Sequence, residues 1–377
     1  MTNDKMTNDQ YSIAETSRII TPALIIFRDI VAANLRQMIA MAGNPARLRP
    51  HCKTHKMAAV TEMELALGIT KHKCATIAEA EMLAAAGVKD ILLAYNIVGT
   101  NVARCVEFVR KFPDVNFMVT ADHEKPIAAL SAAMHEAHAR ISVVLDINCG
   151  MNRTGVTPGE SAKRLYRQIA TSPGLVAAGL HAYDGHNHQP TPGERSAAIE
   201  PLWQKVLALR DDLVREGLPV PRIVVSGTPG FPVYAQHNDP TLELSPGTTV
   251  FHDAGSLANF PDLKFTPAAL VLTRVVSLPG EGLVTFDVGS KGIASDPPVE
   301  RRVKFVDLPD AQTVAHNEEH LVIRTSRAAE FSPGDEQLVI PWHVCPTVAM
   351  HKQAYVVAAG QVVGQWTVTA RDRWLTV

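Results

Sequence analysis

The sequence predicts a (β/α)8 barrel followed by an antiparallel β domain, and three observations lead there. From Thr21 to about Gly227, short apolar runs alternate strictly with stretches that carry apolar residues at helical spacing; this pattern predicts parallel strands joined by helical crossovers. The alternation repeats roughly eight times in about 230 residues, which fits a closed barrel better than an open doubly wound sheet. After about Phe265 helical spacing disappears, and strands separated by Pro and Gly turns take over, the texture of an antiparallel domain.

The elements follow in chain order. "TPALIIF" reads as the first strand, and "RDIVAANLRQMIAMAG" as a helix closed by Gly43. "ARLRPHCK", "KHKCATI", "KDILLAYN", "VNFMVTA", "ISVVLDIN", "LVAAGLHAY" and "RIVVSG" read as the next seven strands, with a helix in each interval. Beyond them, "AALVLTRVVSL", "GLVTFDVG", "EEHLVIRT", "EQLVIPWHV" and "QAYVVAAGQVVGQW" read as β domain. The expected division is therefore a flexible polar tail over 1–20, a barrel over 21–265 and a β domain over 266–377.

Composition narrows the function. The 36 basic and 38 acidic residues give a net charge of -2, so no global field favours nucleic acid or a membrane surface, and a local basic patch needs a local purpose. Five cysteines, Cys52, Cys74, Cys105, Cys149 and Cys345, show no paired spacing, which fits a reducing compartment and a cytoplasmic protein. No apolar run has the length of a signal core or a bilayer span.

"RLRPHCKTHK", Arg47 to Lys56, carries six basic side chains in ten residues. On a strand, Arg49, His51 and Lys53 share one face, and Lys53 falls at the C-terminal end, where barrels collect functional groups. A partly desolvated lysine there gains the nucleophilic amine that condensation with an aldehyde requires; read alone, the segment is more simply a solvated lysine in a basic loop. "SGTPG" (Ser226, Gly227, Thr228) and "PGTTV" (Gly247, Thr248) offer backbone N–H groups and hydroxyls to a phosphate, or else are plain turns. In "WHVCPT", His343 and Cys345 lie two apart on an expected strand, so both project from one face toward a shared divalent ion; imidazole plus thiolate suits Zn²⁺, with Mn²⁺ an alternative.

"RPHCKTHK", "KCATIAEAEMLAAAGVKDILLAYNIVG", "INCGMNRTGV", "GLHAYDGH", "VVSGTPG", "LSPGTTVFHDAG" and "WHVCPT" occur in one order from about Thr21 to the C-terminus. As an ordered set they resemble the D-threonine aldolase and D-serine dehydratase family, pyridoxal-phosphate enzymes of fold type III with an alanine-racemase-type barrel. That resemblance implies that Lys53 holds the cofactor aldehyde, and that the cations of Arg47–Lys56 gather about a cofactor bearing phosphate. It implies further that His51, Arg153, Tyr183, Ser226, Gly227, Thr228, Gly247 and Thr248 line the cofactor, Arg153 facing its ionised 3-oxygen, and that His343 and Cys345 bind the metal. The family's aldolases carry Asp where Cys345 stands, whereas its dehydratases carry the cysteine; here Cys345 is followed by the aldolases' Pro346-Thr347. The aldolases' loop histidine aligns with Gln189, leaving His188, with His186 as rival, as the base for the substrate hydroxyl. The implied reaction is cleavage of a β-hydroxy-D-amino acid to glycine and an aldehyde. The alternatives are elimination to a 2-oxo acid and ammonia, racemisation, or non-catalytic cofactor binding. A homodimer is expected by analogy.

Overall fold

The structure, a computed structural model, describes residues 8–377. Its contacts divide into two compact units. One contains Met38–Lys53, Ala58–Gly247 and Asp372–Val377; the other contains the residues up to Gln37, Thr54–Met57 and Thr248–Arg371.

Chain order begins with β1 (Ala23–Phe27). The strands β2 (Lys71–Cys74), β3 (Asp90–Asn96), β4 (Asn116–Ala121), β5 (Ile141–Asp146), β6 (Leu175–Ala182), β7 (Ile223–Val225) and β8 (Leu242–Leu244) then pair in parallel, each with the next. The segment Leu48–His51 closes the ring: Leu48 bridges Leu244, and His51 bridges Lys73 on the opposite edge. Arg49 N–H donates to Leu244 O at 2.8 Å, and Lys73 N–H to Pro50 O at 2.9 Å. Pro50 has no N–H to give, so the segment pairs by single bridges rather than by a continuous ladder. The expected barrel is present, with altered membership: "TPALIIF" leaves it, and Leu242–Leu244, not assigned from sequence, joins it.

Leu92, Met118, Val144, Ala178 and Val224, one from each of β3 to β7, form an apolar cluster of the barrel unit. A charged network adjoins it. Arg49, fully buried, pairs with Glu243 at 2.5 Å and Asp90 at 2.7 Å, and Lys71 pairs with Glu243 at 2.9 Å. Outside, His72 meets Glu64 of the helix Ala58–Ala66 at 3.0 Å, as the two-residue strand period requires.

The other unit is a nine-stranded sheet containing β9 (Ala269–Gly280), β10 (Leu283–Phe286), β11 (Val303–Phe305), β12 (Gln312–His316), β13 (Leu321–Arg324), β14 (Glu336–Pro341), β15 (Gln353–Ala358) and β16 (Gln361–Thr367). β1 is its ninth member, antiparallel to β9 and parallel to β15, with all five of its residues buried. The sheet is otherwise antiparallel. A strand hidden on both faces carries the same apolar run in either sheet, which is why the sequence reading misplaces it. The expected flexible tail is also revised. Residues 1–7 lie outside the described residues, but Tyr11 is buried, its ring 5.1 Å from that of Phe27 and its hydroxyl donating to Pro267 O at 2.9 Å. Among the described residues no helix is long and apolar enough to cross a membrane.

Candidate active site

Lys53 lies in the single 3-10 turn Cys52–Thr54, directly after the barrel-closing segment, so it stands at a strand end as expected. Its backbone N–H donates to His51 Nδ1 at 3.3 Å. The basic segment does not gather about one ligand. Arg47 donates to the carbonyls of Ala42, Ala235 and His237, and Arg49 is consumed by Glu243 and Asp90.

Ionisable groups also stand at the ends of other barrel strands. Asp146 and His181 are direct partners in the β5–β6 register, and Nδ1 of His181 lies 2.7 Å from Asp146 Oδ1. A register shift at Gly179, whose φ is 123° and whose missing Cβ leaves room for Arg222 O, precedes that pairing. Burial alone would raise the Asp146 pKa, but hydrogen bonds from His181 and Thr154, with the charges of His181 and Arg153, hold it below the usual range. Burial lowers the His181 pKa despite Asp146. An ionised carboxylate beside a neutral imidazole fixes the tautomer: Nδ1–H donates, and Nε2 presents a lone pair. That Nε2 is buried with no hydrogen-bond partner.

Tyr183 follows β6, and two cations face its ring: Arg153 Cζ at 4.9 Å and Lys73 Nζ at 5.5 Å from the centroid. Glycines make space for the ring; a Cβ on Gly185 would fall 2.3 Å from it and one on Gly227 3.2 Å. Lys73 is 1% exposed. Burial, then the Lys53 charge, lowers its pKa to about 7 against the opposing pull of Asp184 and Asp146.

The glycine loops are joined by the protein itself. Gly227 N–H donates to Asp184 Oδ1 at 3.2 Å, Ser226 hydroxyl donates to Gly227 O at 2.7 Å, and Gly247 N–H donates to Thr228 Oγ1 at 3.3 Å. The structure thus brings Ser226, Gly227, Thr228 and Gly247 together. Asp184, 2% exposed, is the post that binds this loop to "HAYDGH"; burial raises its pKa although Asn187 and Gly227 donate to it. Of the loop histidines, His186 packs over Gly150, and both His186 and His188 are exposed.

The second unit carries the expected metal pair, in a different local structure. His343 caps the helix Val344–Met350, so "WHVCPT" is a helix start rather than a strand. Pro346 is tolerated because the first helical turn leaves its N–H groups unpaired. His343 and Cys345 are nevertheless hydrogen-bonded to each other, and His343 Nδ1 lies 2.6 Å from Asp296. Burial would lower the His343 pKa, but Cys345 and Asp296 raise it to about 9. Thr347 donates to His343 O at 2.9 Å, and Val344 N–H donates to buried Asp253 at 3.1 Å. Cys345 Sγ donates to Thr54 Oγ1 at 3.3 Å. Thr248 lies in this unit, in the turn Thr248–Val250.

His51, Cys52 and Glu79 also bring donor atoms within 4.8 Å of one another. Glu79, however, accepts from Ala75 N–H at 2.6 Å and from Cys52 Sγ, which commits it to the turn between β2 and its helix.

Sequence reading missed Lys73, Asp146, Asp184, Asp253 and Asp296. The signal for Lys73 was present: in "KHKC" the two-residue period sends Lys71 and Lys73 to one face and His72 to the other.

Comparison with known proteins agrees with this architecture. Residues 26–254 match the family described as alanine racemase, N-terminal domain. The chain belongs to this family. A second profile, of serine-dehydratase type, matches residues 268–357. The chain is 30% identical to a D-threonine aldolase from Arthrobacter sp over 94% of its own length and 93% of that protein's. It superposes on the crystal structure of D-threonine aldolase from Filomicrobium marinum with a TM-score of 0.87 at 32% identity, covering 94% of this chain and 95% of that one. D-threo-3-hydroxyaspartate dehydratase from Delftia sp. HT23 shares the fold, with a TM-score of 0.82 at 23% identity over 93% and 97% of the two chains.

Proposed function

We propose that this chain is a lyase of β-hydroxy-D-amino acids that uses pyridoxal phosphate and a divalent metal to cleave its substrate to glycine and an aldehyde. The single observation that carries the cofactor reading is the cluster about Tyr183. Two cations face that ring, and His181, two residues before it in the chain, holds a buried imidazole nitrogen with no hydrogen-bond partner, in the barrel unit that ends a strand with Lys53. These residues fit the group: an amine for its aldehyde, cations for its ionised oxygen, and the paired loops of Thr228 and Gly247 for its phosphate. Bound pyridoxal phosphate supplies an electron-withdrawing π-system for electrons released at the substrate Cα. His343 and Cys345 would hold a Zn²⁺ or Mn²⁺ ion that supplies Lewis acidity toward the β-hydroxyl, with Asp296 orienting the imidazole from behind.

The chain's own residues would divide the remaining work. Lys53 would hold the cofactor's aldehyde carbon, Arg153 would face its ionised oxygen, and His188 or His186 would take the proton of the substrate hydroxyl. Retro-aldol cleavage is preferred because two relatives matched over 94% of this chain, at 30% and 32% identity, are D-threonine aldolases by name. Cys345 favours a second reading, elimination to a 2-oxo acid and ammonia, since the dehydratases of the resembled family carry a cysteine at this position. We expect a homodimer in a reducing cytoplasm, consistent with five free cysteines.

The test is NMR analysis of D-threonine incubated with the protein, pyridoxal phosphate and Mn²⁺ or Zn²⁺, beside a chelated control. Glycine with acetaldehyde supports the aldolase; 2-oxobutanoate with ammonia selects the elimination. Unchanged D-threonine and unchanged 3-hydroxy-D-aspartate would refute both.

A further inference from the structure

The cluster about Tyr183 holds one cation more than a cofactor oxygen requires. Arg153 and Lys73 both face the same ring, and the Lys53 charge acts on Lys73 as well. Like charges gathered in a buried volume need an anion among them. Asp146 and Asp184 act on Lys73 electrostatically, but both are already engaged, Asp146 by His181 and Thr154, Asp184 by Gly227 and Asn187. A guanidinium keeps its protons at all relevant pH, so of the two cations facing Tyr183 only Lys73 can give one up. The buried, unpartnered Nε2 of His181 adds an acceptor to the same cluster.

We propose that Lys73, with the Asp146–His181 pair behind it, is the proton partner of the cofactor's 3-oxygen. The inference rests on the pyridoxal-phosphate reading and deepens it. The transfer balances without any co-reactant: one proton moves from the Lys73 ammonium to the phenolate oxygen and returns, so the pair carries one proton throughout. Under this assignment Lys73 acts on the cofactor directly; it sets the charge of the cofactor oxygen while Lys53 holds the aldehyde carbon. Its low pKa, about 7, matches the task, because a cation that held its proton firmly would fix the oxygen as an anion.

The experiment is a pH titration of the visible absorption of bound pyridoxal phosphate in the wild-type protein, Lys73→Met and Lys73→Arg. Loss of the cation makes the phenolate harder to form, so the midpoint of Lys73→Met rises by about one pH unit or more above wild type, a tenfold change in proton affinity. A permanent cation in Lys73→Arg holds the phenolate, and its midpoint falls below wild type. A merely structural lysine would alter cofactor affinity or thermal stability and leave all three midpoints together, which overturns the inference. Should one variant fail to fold, the other still tests the sign. Borohydride reduction and peptide mass mapping separate the two levels of the argument. A pyridoxyl group on Lys53 with coincident midpoints removes only the role of Lys73, whereas a wild-type protein that forms no visible band removes the cofactor reading and this inference together.

Discussion

Glu243→Gln tests the charged network of the barrel unit. Glu243 is 7% exposed and faces Arg49 at 2.5 Å, Lys71 at 2.9 Å and Arg222 at 3.8 Å. Burial works to raise its pKa, yet Arg49 and Lys71 bring it from the ordinary 4.5 down to about 2. That fall corresponds to ~3 kcal/mol of folding stability. Removing one partner of a buried pair costs roughly 3–5 kcal/mol by general experience, so two routes agree. The sign follows from the depressed folded-state value: the contribution is complete above the ordinary carboxylate pKa and is lost as pH falls from 4.5 toward 2. Urea unfolding of both proteins should therefore show a gap of about 3 kcal/mol at neutral pH that closes on acidification. A neutral-pH gap under about 1 kcal/mol, or one that persists unchanged into acid, would refute the reasoning.

Three further outcomes are expected. Asp296→Asn frees the His343 imidazole from its carboxylate and should weaken metal binding by about ten- to a hundredfold, read by competition with a chromogenic chelator. Gly255→Ala places a Cβ 2.6 Å from Trp342 O, a backbone atom that cannot yield cheaply; it should cost about 1–3 kcal/mol in unfolding experiments. Of His188→Ala and His186→Ala, the variant that removes the hydroxyl base should lose about 10²–10⁴ in kcat, measured with D-threonine, while the other stays near wild type.

Local pattern made seven of the eight expected barrel segments legible, because period and turn chemistry are properties of a few adjacent residues. β1 was not, since its partners β9 and β15 lie some 240 and 330 residues along the chain and leave no trace within "TPALIIF". β8 escaped for the opposite reason: three residues, "LEL", are too few to display any period. The metal pair was legible despite a wrong element. Residues two apart meet on one face of a strand, and a cap and the second residue of a helix also meet, so the spacing survived the change from strand to helix start. Asp296 was not legible, because 47 residues separate it from His343. Lys73, by contrast, was legible and passed over; a lysine on the inward face of a buried strand is a stronger sign than a lysine in a loop.

The basic segment gives a sharper account of the barrel unit than a shared phosphate would. Its cations serve different neighbours. Arg47 ties off carbonyls, Arg49 is cancelled by Glu243 and Asp90, and Lys53 alone of the three stands in the turn at the strand's end. A fully paired arginine early on the strand and a lysine whose neighbour Lys73 has a weakened hold on its proton at the end are opposite solutions to one problem, charge in a low-dielectric interior. Pairing makes a rigid support whose cost is met by counter-charge. Under-pairing lowers the Lys73 amine toward neutrality and leaves it ready to meet an ionised oxygen. If this division is right, Glu243→Gln should lower stability without moving the cofactor's spectral midpoint, and Lys73→Met should move the midpoint at little cost in stability. A result in which each variant changed both quantities would mean that the two regions of charge are one network.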